Sequence, residues 1–414
     1  MKNGVLGIVA ITLTALGLLI AVAMLLAAPV HATELEFSGQ VRVRLEGADR
    51  SFTGEPSRSQ VLQRARLGLK VIVSEDTQAF LQIQDSRRWG FEATTLSNTQ
   101  NADFHQAWGQ WKKSYSKANL RIRGGRQELS YGTQRIIGPV GWHNVGRSFD
   151  ALHTRVSKGG WTGDLVVSRL RDERFNVISD FNDDLYFTYH QYKFNDKDMK
   201  LEGYLLYRND RSDRYETTPG LHYSGKASRF NWDAEVAGMF GKRDYRDLSS
   251  YLASGQVHFV VIPERKVSIG GGVDYLSGDD PDTPEDELFS VARIFHTGHK
   301  FYGFMDVAPL LAGRAGLIDP YVVVKMGKTG RFSGIAAGHF FMVDQPGNSE
   351  VGAPLVRQTS SNLGTEVDVK LYLQVATKSQ ISIGGSVFVP GDFLKNQGRD
   401  KNATWGYAQA IVNF

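Results

Sequence analysis

The stretch WGYAQAIVNF, residues 405–414, gives the clearest indication of the fold. Every second residue in it is apolar or small: Phe414, Val412, Ala410, Ala408 and Gly406. The intervening positions are mostly polar, with Ile411 as the exception. This is the period of two that characterises a β-strand with two different faces. Chain ends are usually polar and frayed, so an apolar strand reaching Phe414 predicts pairing. In a membrane barrel it pairs with the first strand, because lipid cannot satisfy an open edge.

The composition narrows the class of protein. The chain has 414 residues and no cysteine, with a formal net charge of +4. Its mean hydropathy of −0.29 excludes a multi-helix membrane protein, which would need repeated apolar runs of about 20 residues. The lack of cysteine rules out disulfides and suits a chain that crosses an oxidising periplasm unfolded.

The one long apolar run lies at the amino end, at residues 5–26. It follows Lys2, and Val30-His31-Ala32 is a small-residue cleavage site. We therefore predict a signal peptide over residues 1–32 and a barrel over residues 33–414. The alternative is a retained membrane anchor, since the run exceeds the usual 7–15 apolar residues. We favour cleavage because the chain that follows requires export.

Segments of about 10–14 residues with the same alternation follow along the chain, and no convincing amphipathic helix interrupts them. In the first segment, Leu35, Phe37, Val41, Val43 and Leu45 share a face opposite Gln40, Arg42 and Arg44. In the second, apolar residues from Ala65 to Val73 oppose Arg64, Arg66 and Lys70. Residues 230–240 and 366–373 repeat the pattern. Such cumulative alternation predicts an all-β, antiparallel transmembrane β-barrel.

The connections support an even number of strands, about 18, with both termini on the same side. Short turns are predicted at Glu75-Asp76, Ser116-Lys117, Gly159-Gly160, Asp196-Lys197, Ser228-Arg229, Pro263-Glu264, Lys328-Thr329 and Thr377-Lys378. Longer loops alternate with them, the largest over roughly residues 277–317. Aromatic residues near strand ends are expected in the interfacial girdles: Trp161, Trp232, Tyr251, Tyr275 and Trp405. A soluble β-sandwich could alternate too, but it rarely has this many strands in one domain.

If the apolar faces contact lipid, the polar faces line a lumen. Its basic residues come from the first six strands: Arg42, Arg44, Arg64, Arg66, Lys70, Arg121, Arg123 and Arg155. Its acidic residues come mainly from later strands: Glu202, Asp233, Glu235, Glu366 and Asp368. Arginines inside a pore lower the barrier for anions and pair bidentately with carboxylates. The alternative for each arginine is an ion pair across the lumen that only fills space. For the cluster as a whole, we expect a role in conduction.

Several longer motifs resemble a known family. They are FLQIQDSRRWG (80–90), DFHQAWGQW (103–111), GGRQELSYGTQRIIG (124–138), GRSFDAL (146–152), TGHKFYGFMD (297–306) and GLIDPYV (316–322). In this order they resemble the signatures of the alginate-export porin family. The resemblance implies an outer-membrane barrel of about 18 strands, with an arginine-rich constriction that passes an anionic polysaccharide.

The resemblance also implies that certain motif residues line the barrel: Asp85, Arg87, Arg126, Gln127, Glu128, Arg135, Arg147 and Asp150. Interleaved acidic and basic residues of this kind can hold arginines in a salt-bridged network. Gly124-Gly125 is expected either to form a bulge that turns Arg126 inward or to provide plain strand curvature.

Catalytic and metal sites are not indicated. The sequence has no Gly-x-Ser-x-Gly and no His-Glu-x-x-His motif, and its ten histidines are scattered. His296 and His299 form a pair without partnering ligands, which favours a solvated loop. The acidic residues Asp279, Asp280, Asp282 and Glu285 offer Ca²⁺ ligands. They lack the spacing of an EF-hand loop, so we favour a solvated loop that tunes anion entry.

The sequence therefore predicts an outer-membrane channel for anionic solutes, without cofactor or enzymatic activity, most similar to a polyuronate export porin. Its expected partners are an anionic polysaccharide or smaller anions, outer-membrane lipid and periplasmic export proteins, and not nucleic acid. The alternative is a general diffusion porin without substrate preference. An outer-membrane enzyme or adhesin would need a catalytic constellation or a ligand-binding loop, which the sequence does not show.

Overall fold

The computed structural model describes residues 34–55, 57–95, 102–172, 182–194, 198–210, 214–243, 245–280, 282, 287–288, 295–347 and 359–414. The expected signal peptide and the turn expected at Asp196-Lys197 lie outside these residues. The strands are β1 (Glu34–Asp49), β2 (Arg58–Ile72), β3 (Thr77–Arg88), β4 (Ala102–Ser114), β5 (Asn119–Gln127), β6 (Phe149–Lys158), β7 (Trp161–Asp172), β8 (Asn182–Phe194), β9 (Asp198–Asp210), β10 (Arg214–Ala227), β11 (Phe230–Arg243), β12 (Arg246–Ile262), β13 (Val267–Leu276), β14 (Glu287–Leu288), β15 (Leu317–Thr329), β16 (Phe332–Met342), β17 (Asn362–Ala376), β18 (Ser379–Pro390) and β19 (Ala403–Asn413).

Within the residues that the structure describes, helical structure is limited to short pieces in the loops. Two α-helices span Ala308–Ala312 and Asp392–Lys395, and three 3₁₀ turns span Pro263–Arg265, Gly298–Lys300 and Gly313–Ala315. Among the described residues, no helix is long and apolar enough to cross a membrane.

The strands form a closed antiparallel barrel. Each strand pairs with its neighbours in the chain, and β1 also pairs with β19. The two-residue β14 pairs in parallel with Asp247 and Leu248 at the start of β12. The other described strands form the wall of the barrel, which has 18 strands. This confirms the predicted fold class and strand number.

The closing contact lies at the stretch quoted first. Val41 of β1 is opposite Val412 of β19. Gly39 and Phe414 exchange two backbone hydrogen bonds, each of 3.0 Å. The Phe414 ring covers Gly39 so closely that a Cβ there would lie 2.0 Å from the ring. The prediction that this strand closes the barrel is confirmed.

The predicted alternation places apolar side chains outside. Phe37, Leu67 and Val367 are 70%, 55% and 57% exposed on the outer face. Arg42 and Glu366, in the opposite phase, are 2% and 0% exposed. The outer face is therefore the surface for lipid, and the polar residues are enclosed in the lumen.

Two details differ from the sequence-based expectation. The turn predicted at Lys328-Thr329 lies at Gly330 and Arg331, because β15 continues to Thr329. Trp405 is not in the girdle. It is 4% exposed, in the inward phase of β19, and its indole N–H donates to Glu46 Oε1 at 2.9 Å.

Two long loops fold into the lumen from the side opposite the short turns. The first inward loop, residues 128–148, connects β5 to β6. The second inward loop, residues 295–316, precedes β15. They bind each other through a backbone bridge between Ile137 and Phe295, and the Thr297 N–H donates to Gln134 O at 3.0 Å. Leu129, Ile137, Met305, Ala308 and Ala315 are buried in the resulting apolar cluster.

Candidate functional site

Two arginines bind the first inward loop to the barrel wall. Arg42 and Arg64 lie directly opposite each other on β1 and β2. Both guanidinium groups donate to the carbonyl oxygen of Gly141, at 2.9 and 3.3 Å, and to that of His143, at 3.3 Å each. Like charges placed opposite each other destabilise a sheet, and here the loop carbonyls lie against both charges. We call Arg42 and Arg64 the arginine clamp.

Trp142 connects the wall to both loops. Arg44 donates to Trp142 O at 2.9 Å, and its guanidinium lies 3.7 Å from the centre of the indole ring. His299 of the second inward loop also contacts Trp142. Its ring stacks on the indole ring, with 4.0 Å between the two ring centres. Cation–π contacts of this kind strengthen when they are desolvated. Arg44 also pairs with Glu46 at 3.2 Å.

Ion pairs hold the start and the interior of the first inward loop. Glu128 accepts from His105 at 2.7 Å and from Arg66 at 3.4 Å. Burial would raise the pKa of Glu128, but the contacts with His105 and Arg66 outweigh it and lower that pKa. Arg135 pairs with Asp274 of β13 at 2.8 Å. Burial alone would lower the pKa of Arg135, but the carboxylate of Asp274 raises it, so the charge is retained.

Arg147, near the end of this loop, donates hydrogen bonds to three carbonyl oxygens. It donates to Gly138 O at 3.2 Å, to His296 O at 3.2 Å and to Phe295 O. Burial lowers its pKa. Arg147 therefore joins the two inward loops.

A second group of arginines lies below the loops, nearer the short turns. Arg123 of β5 donates to Gln110 Oε1 at 2.7 Å and lies 3.8 Å from the centre of the Trp108 ring. Arg121 contacts His153 at 3.3 Å, and Arg155 pairs with Asp164 at 2.7 Å. Lys70 pairs with Glu36 at 3.1 Å. Arg121, Arg123 and Arg155 are only partly buried, so the remaining lumen reaches them.

Four of the motif residues face outward, which corrects the expectation that they line the lumen. Asp85 and Arg87 share the outward phase of β3 with the exposed Leu81 and Ile83. Arg126 and Asp150 are opposite each other on β5 and β6, in the phase of partly exposed Leu152. The side chain of Asp150 is 61% exposed.

These four belong to a row of alternating charges near the long-loop ends of β3 to β8. Arg126 lies between Asp103 at 3.8 Å and Asp150 at 3.6 Å. Arg169 is opposite Asp150 on one side and binds Asp184 on the other. We call this set the outer charge belt: Asp85, Arg87, Asp103, Arg126, Asp150, Arg169 and Asp184.

The expected bulge at Gly124-Gly125 is also absent. In the described strands, β5 pairs with β4 and β6 without a register shift, so no bulge turns Arg126 inward. Gly125 has φ +121°, and a Cβ there would lie 2.3 Å from Ala107 O. The positive φ and the close backbone approach explain the glycine. The bulge is excluded, and plain strand curvature stays a prediction.

The acidic loop shows no metal site within the described residues. Asp279 binds Arg314 at 2.5 Å, and Asp280 Oδ1 accepts from the backbone of Asp282 at 2.8 Å. Glu285 lies outside the described residues. No group of three side chains suited to a metal is present in the described part of the chain.

The closed barrel, its apolar outer face and its polar, loop-filled lumen define an outer-membrane channel. The family model for alginate export matches residues 33–407. The chain therefore belongs to the alginate export family, whose members are channels of the Gram-negative outer membrane rather than enzymes.

Solved structures of outer-membrane proteins show the same fold. OpdO of Pseudomonas aeruginosa is 12% identical, with 92% of this chain and 97% of that chain covered and a TM-score of 0.59. OccAB4 of Acinetobacter baumannii is 11% identical, with 93% and 99% covered and a TM-score of 0.60. OccD3 (OpdP) of Pseudomonas aeruginosa is 10% identical, with 94% and 93% covered and a TM-score of 0.62. No curated protein matches the chain.

Proposed function

We propose that this channel conducts anions and that its cargo is an acidic polysaccharide of the polyuronate type. The observation that supports this is the kind of partner that the lumen arginines have. Arg42, Arg64, Arg121 and Arg123 bind carbonyl, amide or imidazole groups. Among the described residues, no carboxylate lies within 4.0 Å of any of the four. Their positive charges are therefore not cancelled locally.

The four arginines are placed so that their positive charges can attract anions in the lumen. Arg121 and Arg123 are partly accessible below the inward loops. Arg42 and Arg64 are 2% and 4% exposed, so they act through their field rather than by contact. A confined lumen with low-dielectric walls focuses such a field and concentrates the counter-ion. An anion passing Arg121 and Arg123 exchanges water for guanidinium groups at sites weak enough to release it.

Family membership supports a polymeric cargo, and the inward loops set a condition for it. The two loops occupy the lumen and are bound to the wall through Arg42, Arg64 and Trp142. A polysaccharide chain therefore requires displacement of the first inward loop.

The test is the reversal potential of the purified barrel in a planar bilayer across a tenfold KCl gradient. We expect anion selectivity, which weakens at high salt as the screening length falls from about 10 Å at 0.1 M to about 3 Å at 1 M. Exchange of Arg121 and Arg123 for Gln should move the reversal potential toward zero, and exchange for Glu should move it toward cation selectivity. A uronic-acid oligomer should block chloride current in the parent more than in the double variant.

Arg87→Gln with Arg126→Gln is the matched control, because it removes the same two charges from the outer face and should leave selectivity unchanged. A cation-selective parent would contradict the proposal. So would a double variant that behaves like the parent, and the general diffusion porin would then be the better description.

A further inference from the structure

A cavity of ≈ 580 Å³ lies beneath the inward loops. Its roof consists of loop residues that include Trp142, His299, Lys300 and Phe304. Its wall comes from the neighbouring strands β12, β13, β15, β16 and β17. Lys325, on this wall, is four residues from the end of β15 at a short turn. Short turns are periplasmic in outer-membrane barrels, so the cavity lies on the periplasmic side of the loops.

Three lysines line this cavity, and their charge is compensated only at longer range, by Asp233 for Lys300 and Lys325 and by Asp306, Asp368 and Glu366 for Lys370. Arg135 is neutralised by Asp274. Lys300 donates to Thr133 O at 2.8 Å, Lys325 contacts His258 at 3.2 Å, and Lys370 contacts His299 at 2.6 Å. In the described structure none of the three lysines has a carboxylate within 4.0 Å. Each ammonium group has three N–H donors, so donors remain for a ligand.

Aromatic rings lie close to Lys370 and Lys300. Lys370 Nζ lies 3.4 Å from the centre of the Phe304 ring and 5.1 Å from that of Trp142. Tyr321, on β15, donates its hydroxyl to Gln256 at 3.2 Å and also lines the cavity. Small-molecule sites are typically cavities of about 300–1,000 Å³ with mostly apolar and aromatic walls and a few polar groups that fix orientation. The cavity beneath the loops has these properties.

We propose that this cavity binds a small cyclic carboxylate, one molecule at a time, from the periplasmic side. The proposal rests on the proposed anion channel and adds a monomeric ligand class and a binding site to it. Lys300 and Lys325 bind the carboxylate, and the rings of Phe304, Trp142 and Tyr321 contact the face of the ligand ring. A sugar acid and an aromatic acid share this chemistry, while the loop roof blocks the continuation of a polymer.

Binding is measured by isothermal titration calorimetry of the detergent-solubilised full barrel. The probes are sodium galacturonate and sodium benzoate, with galactose and benzyl alcohol as their neutral counterparts. We expect at least one acid to bind and its neutral counterpart not to bind. Binding of galacturonate alone identifies a sugar-acid site, binding of benzoate alone identifies an aromatic-acid site, and binding of both supports the shared chemistry.

Two variants locate the site. Lys300→Gln with Lys325→Gln should weaken binding at least tenfold. Lys395→Gln with Lys401→Gln removes the same two charges from exposed positions in another loop and should bind like the parent. Heat-modifiable migration on a denaturing gel confirms that each variant is a folded barrel.

Three outcomes overturn the proposal: neither acid binds to the folded parent, neutral counterparts bind equally well, or the double lysine variant binds like the parent. Binding of a polyuronate without binding of either monomer also overturns it. The reversal potential separates this result from the proposed function. If the parent is anion-selective but binds neither acid, the proposed function stands and the cavity site is wrong. If the parent is cation-selective but binds an acid, the cavity site stands and the proposed function is wrong.

Discussion

Arg42 and Arg64 show what alternation along a strand reveals about a side chain and what it does not. Both are in the phase opposite to exposed valine and leucine residues, so their inward direction follows from the sequence. Arg64 binds Gln40 on the neighbouring strand, but the loop partners of both arginines are backbone carbonyl oxygens about 80 to 100 residues away in the chain. No local pattern indicates these partners, because the path of an irregular loop has no period.

For the motif residues, strand alternation predicts the direction of the side chain better than the family resemblance does. Arg121 and Arg123 are correctly placed inward by alternation, and the same alternation puts Arg126 outward. The expectation that Arg126 lines the lumen came from the family resemblance and required a bulge that the strand does not have. Of the cavity lysines, Lys325 and Lys370 could be identified from their strand phase, whereas Lys300 lies in a loop and could not.

The arginine clamp leads to a prediction about the first inward loop. Exchange of Arg42 and Arg64 for Gln removes charged hydrogen bonds worth about 1.5–3 kcal/mol each, partly offset by relief of the like-charge contact. We expect residues 139–145 to become sensitive to protease while the barrel remains folded. Limited proteolysis with peptide mapping measures this. Arg121→Gln with Arg123→Gln is the control, because these two arginines bind His153 and Gln110 of the wall, and an equally resistant loop in the Arg42 and Arg64 double variant would contradict the assignment.

The strands were the most predictable elements. Each strand has one face enclosed in the lumen and one face in lipid, so polar and apolar side chains alternate with a period of two. A barrel closed by antiparallel pairs throughout has an even number of strands, with short turns and long loops in alternation. The loops were predictable only in position and length. Their fold depends on the bridge between Ile137 and Phe295 and on the contacts of Trp142. These are long-range contacts that satisfy backbone groups inside the lumen.

Strand β19 supports a second prediction. Deletion of Ala410–Phe414 removes the pairing of β1 residues from Gly39 to Val43 and shortens the partner of β18. Each backbone group left unpaired in lipid costs several kcal/mol, so we expect almost no assembled barrel and degradation of the chain. Heat-modifiable protein in isolated outer membranes is measured. Phe414→Leu, which keeps the backbone pairing, should assemble in reduced but detectable amounts. Normal assembly of the truncated chain would show that this pairing is dispensable.

At the scale of the whole molecule, features along the sequence agree with the location of the protein in the outer membrane. An apolar amino-terminal run, alternating strands without cysteine and a closing carboxyl-terminal strand agree with export and insertion into the outer membrane. The direction and identity of the cargo depend on loop and lumen contacts, which the strand pattern does not specify.

Processing provides the prediction for the whole chain. We expect removal of residues 1–32, so that the protein in the outer-membrane fraction begins at Thr33. A small residue at the cleavage site and the need for export favour this result. Amino-terminal sequencing of the protein from separated membranes measures it. Recovery of Met1 from the inner membrane would contradict both the cleavage and the destination.

The outer charge belt has a consequence for how deeply the barrel sits in its membrane. Its residues occupy the lipid-facing phase of β3 to β8, directly above apolar side chains such as Leu81 and Ile83. A basic residue on that face costs about 2–4 kcal/mol at the bilayer midplane but only about 0–1 kcal/mol near the interface. This sector of the wall therefore cannot sink into the hydrocarbon when the bilayer is thicker. The belt therefore marks the level at which the outer surface of the bilayer meets this flank, and a thicker bilayer must be accommodated by deformation of the surrounding lipid or by a shift at the opposite end of the wall.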